Sequence, residues 1–550
     1  MKKRIIIVGG VAGGATTATK LRRLDEQAEI TIYERGEFIS FANCGLPYHI
    51  SGVIEDRSKL LLQTVEGMQT RYNIAIKNLT EVKSIHPEKK SITAQDLRTG
   101  ELFEDTYDVL ILSPGAKPIV PPIEGLKRAN VFTLRNIPDM DRINDYVVNA
   151  QPKSAVVIGG GFIGLEMAEN LVMAGLDVKI VEKSNQVMAP LDPEMAAIVE
   201  DYLRDKGVEL ILGDGIQDVV ESGKRIMLES GTSVEADLLI IAIGVAPENS
   251  LAKEAGLELG ERGGIKVNSH HQTSEPTIYA LGDAIETRDY INGKPAMIPL
   301  AWPANRQAHI VAHSICGRNI GYPGTLGTSI VKVFDLTAAV TGNNEKTLKR
   351  LGIQYEAVHI HPLSHAGYYP GAEPISLKLI FDKETGKIFG AQAVGKDGVD
   401  KRIDVIATAI RGGLSVHDLQ ELELAYAPPF SSAKDPVNMA GYVAANIVDG
   451  MMETLHYHEV DDLVKDGGYL LDVRTEKECG SGCISGSINI PLDELRGRLD
   501  ELPKDKTILI TCQVGLRGYL ASRILSQNGF KVKNLTGGYK TYSMYKKYHQ

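Results

Sequence analysis

A strand, a glycine-rich turn and a helix occur in that order twice in this chain, and this repeat constrains the fold more than any other feature. Ala155-Val156-Val157-Ile158 reads as a buried strand. It runs into Gly159-Gly160-Gly161-Phe162-Ile163-Gly164 and then a helical stretch from Leu165 to Ala174. Gly159, Gly161 and Gly164 stand where a dinucleotide turn needs glycine, so the backbone can meet a pyrophosphate at a helix N-terminus. Glu182 closes the next strand run, Val178-Lys179-Ile180-Val181. A carboxylate there binds a ribose diol and repels a 2′-phosphate, which favours NADH over NADPH, while Lys183 beside it pulls the other way. Residues 4–36 repeat the pattern with Gly9-Gly10-Val11-Ala12-Gly13-Gly14 and with Glu34 after Ile30-Thr31-Ile32-Tyr33. Val11 occupies the middle glycine position, so this second copy is imperfect.

Apolar runs from Tyr107 to Leu112 and from Ala236 to Ile243 lead into tight turns at Ser113-Pro114-Gly115 and at Gly244. Thr277-Ile278-Tyr279-Ala280-Leu281 predicts a strand delivering Gly282-Asp283-Ala284, whose carboxylate can meet the ribityl chain of a flavin. From Gly327 the pattern turns strand-rich, at Ser329–Phe334, Gln354–His361 and Ile375–Phe381. Helices are expected around Arg402–Arg411 and Pro436–Val448, which predicts a separate α+β domain. The pattern breaks at Gly450–Thr454, and a compact unit of about a hundred residues follows.

A chain of 550 residues is too long for one core and implies roughly two to four domains. Lys and Arg total 60 against 70 Asp and Glu, and the net charge of −10 argues against a general nucleic-acid role. Five scattered cysteines form no disulfide framework and point to single thiols in a reducing compartment. The apolar run after Met1-Lys2-Lys3-Arg4 stops at Gly9, too short for a signal sequence, and no stretch is long enough to span a membrane. A cytoplasmic protein without a membrane partner is expected. His359, His361 and His365 lack the spacing and company of a metal site, so no metal is expected.

Cys44, in Ser40-Phe41-Ala42-Asn43-Cys44-Gly45-Leu46-Pro47-Tyr48, has no second cysteine nearby; the nearest is Cys316. A lone redox thiol either pairs with a substrate sulfur or is oxidised to a sulfenic acid. Cations at Arg22 and Arg23, and later at Arg71, suit a phosphorylated substrate.

With these motifs, residues 1 to about 450 resemble the flavin-dependent pyridine nucleotide–disulfide oxidoreductases. The resemblance implies two Rossmann-like nucleotide-binding domains, FAD in the first and NADH or NADPH in the second, and an α+β dimerisation domain. The implied domains are 1–150 with 240–326 for FAD, 151–239 for NAD(P)H and 327–450 for dimerisation. FAD then falls to Gly9, Gly13, Gly14, Glu34, Arg35, Ser113, Gly115, Gly282, Asp283 and Ala284. The nicotinamide cofactor falls to Gly159, Gly161, Gly164 and Glu182, and Gly244 is a further cofactor-binding residue.

Within that superfamily a single cysteine in Ser-Phe-x-x-Cys resembles NADH oxidases, NADH peroxidases and coenzyme A–disulfide reductases. The oxidases and peroxidases carry a histidine where this chain has Ala12, and the full Ser40-to-Tyr48 string is similar to the coenzyme A–disulfide reductases. Coenzyme A contacts are then implied at Thr16, Lys20, Arg23, Ser40, Asn43, Asn305 and Lys434, with Lys20 departing from the family's glutamine. Arg22 and Arg71 are added for its phosphates. The resemblance also implies a homodimer whose active site is shared across the interface. Tyr426 and Tyr368, the latter preferred over Tyr369, would approach the partner's redox cysteine and stabilise a leaving thiolate.

Beyond residue 455, Tyr469-Leu470-Leu471-Asp472-Val473-Arg474 and Ile508-Leu509-Ile510-Thr511 read as strands. The second delivers Cys512-Gln513-Val514-Gly515-Leu516-Arg517-Gly518 to a helix over Tyr519–Gln527. Loop amides and Arg517 there suit a persulfide anion. Residues 456–550 resemble a single-domain rhodanese. Only four residues separate Cys512 from Arg517, one fewer than in the cysteine phosphatases. The whole resembles a coenzyme A–disulfide reductase fused to a rhodanese: an α/β enzyme that reduces coenzyme A disulfide, coenzyme A persulfide or polysulfide, with Cys512 carrying sulfane sulfur. An oxidase or peroxidase using a Cys44 sulfenic acid, and a redox sensor with a docking module, stay open at this point, as do the roles of Cys479 and Cys483.

Overall fold

The computed structural model describes residues 2–128 and 130–548; residues 1, 129, 549 and 550, which include the outer ends of the first and last expected domains, lie outside the described residues. The chain divides into two compact units. One comprises the chain up to Asn185 with Gly207–Gly327, the other Gln186–Lys206 with the chain from Thr328. The helix Pro193–Asp205, which falls within the expected nicotinamide domain, therefore groups with the second unit.

In the first unit two five-stranded parallel sheets carry the duplicated motif. The first runs Ile278–Ala280, Val109–Leu112, Arg4–Val8, Glu29–Glu34, Ala75–Asn78. The second runs Glu209–Leu212, Asp177–Glu182, Ser154–Ile158, Leu238–Ile241, Val131–Phe132. Their central strands are near-continuous Val/Ile runs because both faces are covered, and Ile5, Ile7, Val156 and Val157 are buried. The helix Ala12–Leu24 packs along the helix Ala301–Ile315, which brings the first motif against a segment almost 300 residues away. The helix expected from Leu165 starts at Phe162, because the extended Gly161 is its N-cap.

In the second unit an antiparallel sheet runs Ser329–Val333, Leu336–Gly342, Ile388–Gly395, Ile375–Phe381, Glu356–Ile360. The expected helix over Arg402–Arg411 extends to Val399–Gly412, bounded at each end by a glycine in the left-handed region, Gly398 and Gly413. A five-stranded parallel sheet follows, Thr454–Leu455, Lys531–Leu535, Thr507–Thr511, Tyr469–Asp472, Ile488–Asn489. Its last helix before the C-terminus is Gly538–Tyr548.

Buried polar bonds lock these two sheets' domains together. The Lys378 ammonium is completely enclosed and ion-paired with Asp192, Glu194 and Glu345. Burial alone would lower its pKa, but the three carboxylates hold it well above the ordinary lysine value. Glu194 also accepts hydrogen bonds from His359 Nε2 (2.9 Å) and from the Tyr457 hydroxyl (2.7 Å) of the C-terminal domain. The connecting strand Thr454–Leu455 is pinned through Glu356, which accepts from Thr454 Oγ1 (2.9 Å) and pairs with His456 (2.8 Å). His361 bonds Ser376 Oγ and Thr541 Oγ1, both at 2.9 Å. Two of the three histidines weighed as metal ligands thus serve this junction, and His365 lies by its neighbour's carbonyl, Ala366 O, at 3.2 Å. The one carboxylate group among the described residues with metal-like spacing, Asp192, Glu194 and Glu345, surrounds an ammonium instead. No helix among the described residues is long and apolar enough to cross a membrane.

Candidate active site

The two nucleotide turns of the first unit are near-copies at atomic detail. Glu34 accepts hydrogen bonds from the Gly10 amide (2.8 Å) and the Gly36 amide (2.7 Å). Glu182 accepts from the Gly160 amide (2.7 Å) and the Ser184 amide (2.8 Å). Each carboxylate is thereby held at the lip of its turn. Gly14 and Gly164 pack on the carbonyls of Gly9 and Gly159, so closely that a Cβ at either would collide with the backbone. Val11, which breaks the first motif, stands just ahead of the helix as its N-cap and leaves this geometry intact.

The residues present fit a flavin in the first turn and a nicotinamide dinucleotide in the second. Asp283 sits in the short turn Gly282–Ala284, where burial pushes its carboxyl up and Arg135 opposes the shift. Such a carboxylate gains from hydroxyl donors of the ribityl kind. The Gly282 amide donates to Gln307 Oε1 (2.8 Å) on the helix that carries Asn305, and Arg135 donates to the Pro114 carbonyl (3.0 Å) between Ser113 and Gly115. Arg35 is half-exposed, 3.4 Å from Glu248. In the second turn nothing lies within 4 Å of where a Gly161 side chain would start, which leaves room for a pyrophosphate. Gly244, with φ of +119°, turns the chain after the strand Leu238–Ile241.

Cys44 lies in the one-turn 3₁₀ helix Asn43–Gly45, exposed to solvent and unpaired. The loop before it hangs from the first nucleotide turn: the Ser40 amide donates to the Gly10 carbonyl (2.9 Å), and the Ser40 carbonyl accepts from Leu62 (3.1 Å). Ser40 takes the left-handed region, φ +45°, a strained choice for a residue with a Cβ. Although the sulfur reaches solvent, the surrounding protein pushes the thiol pKa up, and the carboxylates Glu166 and Asp283 add to the effect. Asn43 Oδ1 stands 3.9 Å from the sulfur. Glu166, from the second glycine motif's helix, is itself raised to about 7 by burial and by Glu169. It was not singled out from the sequence; the signal is a lone carboxylate in the apolar run Phe162-Ile163-Gly164-Leu165-Glu166-Met167.

Of the coenzyme A contacts expected in this unit, Thr16 and Asn305 meet directly, Thr16 Oγ1 donating to Asn305 Oδ1 (2.9 Å). Lys20 and Arg23 line the same pair of helices. With Arg306 they act on His309, whose pKa is lowered by burial, then by His313 and these cations, so the positive cluster is larger than the sequence suggested. Arg71 is exposed at the end of the helix Val65–Tyr72. Arg22 departs from expectation. It is only 5% exposed, and its guanidinium donates to the carbonyls of Tyr72, Asp25, Glu26 and Asn73. It fastens the helix to the neighbouring loop and offers nothing to a phosphate.

In the second unit the Tyr368 and Tyr426 hydroxyls meet at 3.0 Å, with the rings 76% and 48% exposed. Their loops are set by Arg402, fully buried, which donates to the Ser364 carbonyl (2.7 Å) and pairs with Asp435 (3.0 Å). Exposed Phe430 and Tyr369 belong to the same loops, an apolar surface typical of an interface. Lys434 is exposed, its ammonium 5.4 Å from the centre of the Tyr442 ring.

Cys512 ends the strand Thr507–Thr511 and is 1% exposed, with its sulfur accepting from the Gly515 amide (3.1 Å). The helix expected from Tyr519 begins at Leu516, after Gly515 in the left-handed region. Arg517 is not a free charge for the sulfur: Glu478 takes both its terminal nitrogens, at 2.8 and 2.6 Å, and is itself held at about 2.

Known families and proteins match most of the chain's length. The pyridine nucleotide-disulphide oxidoreductase family matches residues 3–308, its dimerisation domain residues 328–436 and the rhodanese-like domain residues 456–545. The coenzyme A disulfide reductase of Staphylococcus epidermidis is 40% identical over 447 residues, 80% of this chain and 99% of its own length. The crystal structure of reduced Bacillus anthracis CoADR-RHD superposes with a TM-score of 0.98 at 58% identity, covering 99% of this chain and 98% of that one. An NAD-dependent persulfide reductase from A. fulgidus superposes at 0.91 with 39% identity, over 98% of this chain and 100% of that one. The chain belongs to the pyridine nucleotide-disulphide oxidoreductases, within the group of the coenzyme A disulfide reductases, and carries a C-terminal rhodanese-like domain.

Proposed function

We propose that the protein is an FAD-dependent NAD(P)H reductase of coenzyme A disulfide and coenzyme A persulfide or polysulfide, with the rhodanese domain as sulfur carrier. The observation that carries this reading is a lone Cys44 hung from the flavin turn, in the same unit as a positive cluster of Lys20, Arg23 and Arg306 on the paired helices Ala12–Leu24 and Ala301–Ile315. Its raised thiol pKa disfavours a free thiolate at rest, so a sulfur bonded to a substrate thiol is the better resting form.

FAD, which Gly9, Gly13, Gly14, Glu34 and Asp283 would hold, would supply two-electron transfer from the nicotinamide to the sulfur centre. Cys44 then holds one coenzyme A as a mixed disulfide, and its reduction frees that thiol. Thr16, Lys20, Arg23, Ser40, Asn43, Arg71 and Asn305 orient the coenzyme A. Glu34 and Glu182 hold the two adenosine riboses, and Glu182 sets a preference for NADH. In a dimer, Tyr368 and Tyr426 of one subunit serve Cys44 of the other by donating a proton to the leaving sulfur, with Lys434 at a phosphate. Cys512 takes sulfane sulfur as a persulfide and passes it to the coenzyme A thiol.

We assign FAD to residues 1–150 and 240–326, NAD(P)H to 151–239, dimerisation to 327–450 and the rhodanese to 456–550. The net charge of −10 and the scattered cysteines support a cytoplasmic enzyme of small thiols without nucleic-acid or membrane partners.

Mass measurement of the purified protein under denaturing, non-reducing conditions tests the proposal. An adduct of coenzyme A mass on the Cys44 peptide, lost on adding a reductant, is expected. A Cys44 sulfenic acid with rapid NADH-driven oxygen uptake would overturn it.

A further inference from the structure

Two thiols of the rhodanese domain have no part in the scheme above. Cys479 lies in the short helix Glu476–Gly480, and Cys483 follows after Gly480-Ser481-Gly482, exposed. The loop between them is bound to the Cys512 loop at both ends. At one end Glu478, next to Cys479, takes the fork of Arg517. At the other, Arg474 donates to the Gly482 carbonyl (2.9 Å) and to Gln513 Oε1 (3.3 Å), the residue after Cys512. Arg474 is fixed by its bidentate pair with buried Asp472 and by the Tyr539 ring beneath it at 4.2 Å.

The two thiols differ in environment. Burial, then the Asp472 carboxylate, raise Cys479 to about 11, and Cys483, only four residues further along the chain, adds to the shift. Gly482, with φ of +139°, has the Tyr539 hydroxyl where a side chain would start, and nothing lies within 4 Å of that position at Gly480. Two glycines in a three-residue spacer give the loop freedom to close a disulfide.

We propose that Cys483 and Cys479 form a resolving dithiol that takes the sulfane sulfur from Cys512 and releases it as hydrogen sulfide. In the first step the Cys483 thiolate attacks the outer sulfur of the Cys512 persulfide, giving a Cys483 persulfide and a free Cys512 thiol. In the second, Cys479 attacks Cys483 Sγ, Asp472 takes the Cys479 proton, and hydrosulfide leaves with that proton as hydrogen sulfide. The sulfane sulfur gains two electrons and the dithiol becomes a Cys479–Cys483 disulfide. Two coenzyme A thiols reduce that disulfide and leave as coenzyme A disulfide, the substrate of the flavin centre. The inference rests on the function proposed above, and it closes a cycle in which both halves of the chain act on one thiol pool.

The test uses the reduced, desalted holoenzyme with thiosulfate alone, without NADH or coenzyme A. Sulfite reports loading of Cys512 and sulfide reports the dithiol. The wild type should release one sulfide and two sulfites per subunit in one burst, because the freed Cys512 loads a second time once the dithiol is oxidised, and its tryptic peptide 478–496 should become lighter by two hydrogens. Cys483→Ser should lose sulfide release at least tenfold. Cys479→Ser should trap the intermediate, its 478–496 peptide heavier by one sulfur atom. Sulfite without sulfide, with that peptide unchanged in all three proteins, would overturn the dithiol. No sulfite at all would remove Cys512 as carrier and the inference with it. NADH-dependent reduction of coenzyme A disulfide by the wild type reports separately on the underlying reading.

Discussion

The hydroxyls of Tyr368 and Tyr426 share a hydrogen bond at 3.0 Å across 58 residues of sequence. In such a pair one phenol donates to the other and keeps its partner's proton available, and the bond raises the Tyr368 pKa. Replacing either tyrosine by phenylalanine should lower kcat for coenzyme A disulfide by roughly 10²-fold, within the usual range for a general acid. The double variant should lose little more than either single one, because the two act as a unit. Losses that multiply in steady-state kinetics would show that the tyrosines act independently.

Lys378 neutralises three carboxylates in a fully enclosed site. Lys378→Met keeps the volume and strands those charges, which should cost about 3–5 kcal/mol in stability. Thermal unfolding of the variant should show the second unit melting well below the wild type. An unchanged melting profile would mean that the carboxylates bind protons at little cost.

Glu166 titrates near 7 in the folded protein, above its ordinary value of 4.5. A carboxyl with a raised folded pKa binds more protons folded than unfolded, so its contribution to stability is full below about 4.5 and is lost as pH rises to about 7. Glu166→Gln removes that dependence, and its stability advantage over the wild type should grow across this window. The same change takes a negative charge away from Cys44, so the thiol pKa should fall. Alkylation rate against pH reads that shift, and an unmoved profile would separate Glu166 from Cys44.

Glu478 neutralises Arg517 beside Cys512. Glu478→Gln should let the guanidinium act on the sulfur alone and speed alkylation of Cys512 by roughly three- to tenfold at neutral pH. Arg517→Ala should slow it. Equal rates in all three proteins would show that the Gly515 amide, not the arginine, sets the reactivity of this thiol.

The parts legible in the sequence were those governed by local rules. Glycines at fixed offsets, an acid closing a strand and a cysteine at a strand end each imply a turn whose geometry the nearby chain dictates, and the helix Pro436–Val448 and the strand Ile375–Phe381 occur with their expected bounds. What could not be read depends on contacts between distant segments. Arg22 looked like a phosphate ligand because a helix position does not reveal that four carbonyls close over it. Glu166 and Arg306 gain meaning only once their helices lie beside the cysteine loop and beside Lys20. Arg517 was expected to be free because its partner, Glu478, sits 39 residues earlier.

The bond from Tyr457 to Glu194, with Thr454 and His456 held on Glu356, bears on how sulfur travels. Enzymes that move an intermediate between distant centres often swing a whole domain on a loose hinge. Here the hinge is riveted at three points, so the carrier domain stays where it is. On the function proposed above, the reaching then falls to the long flexible arm of coenzyme A rather than to a swinging of the rhodanese domain on its neighbour.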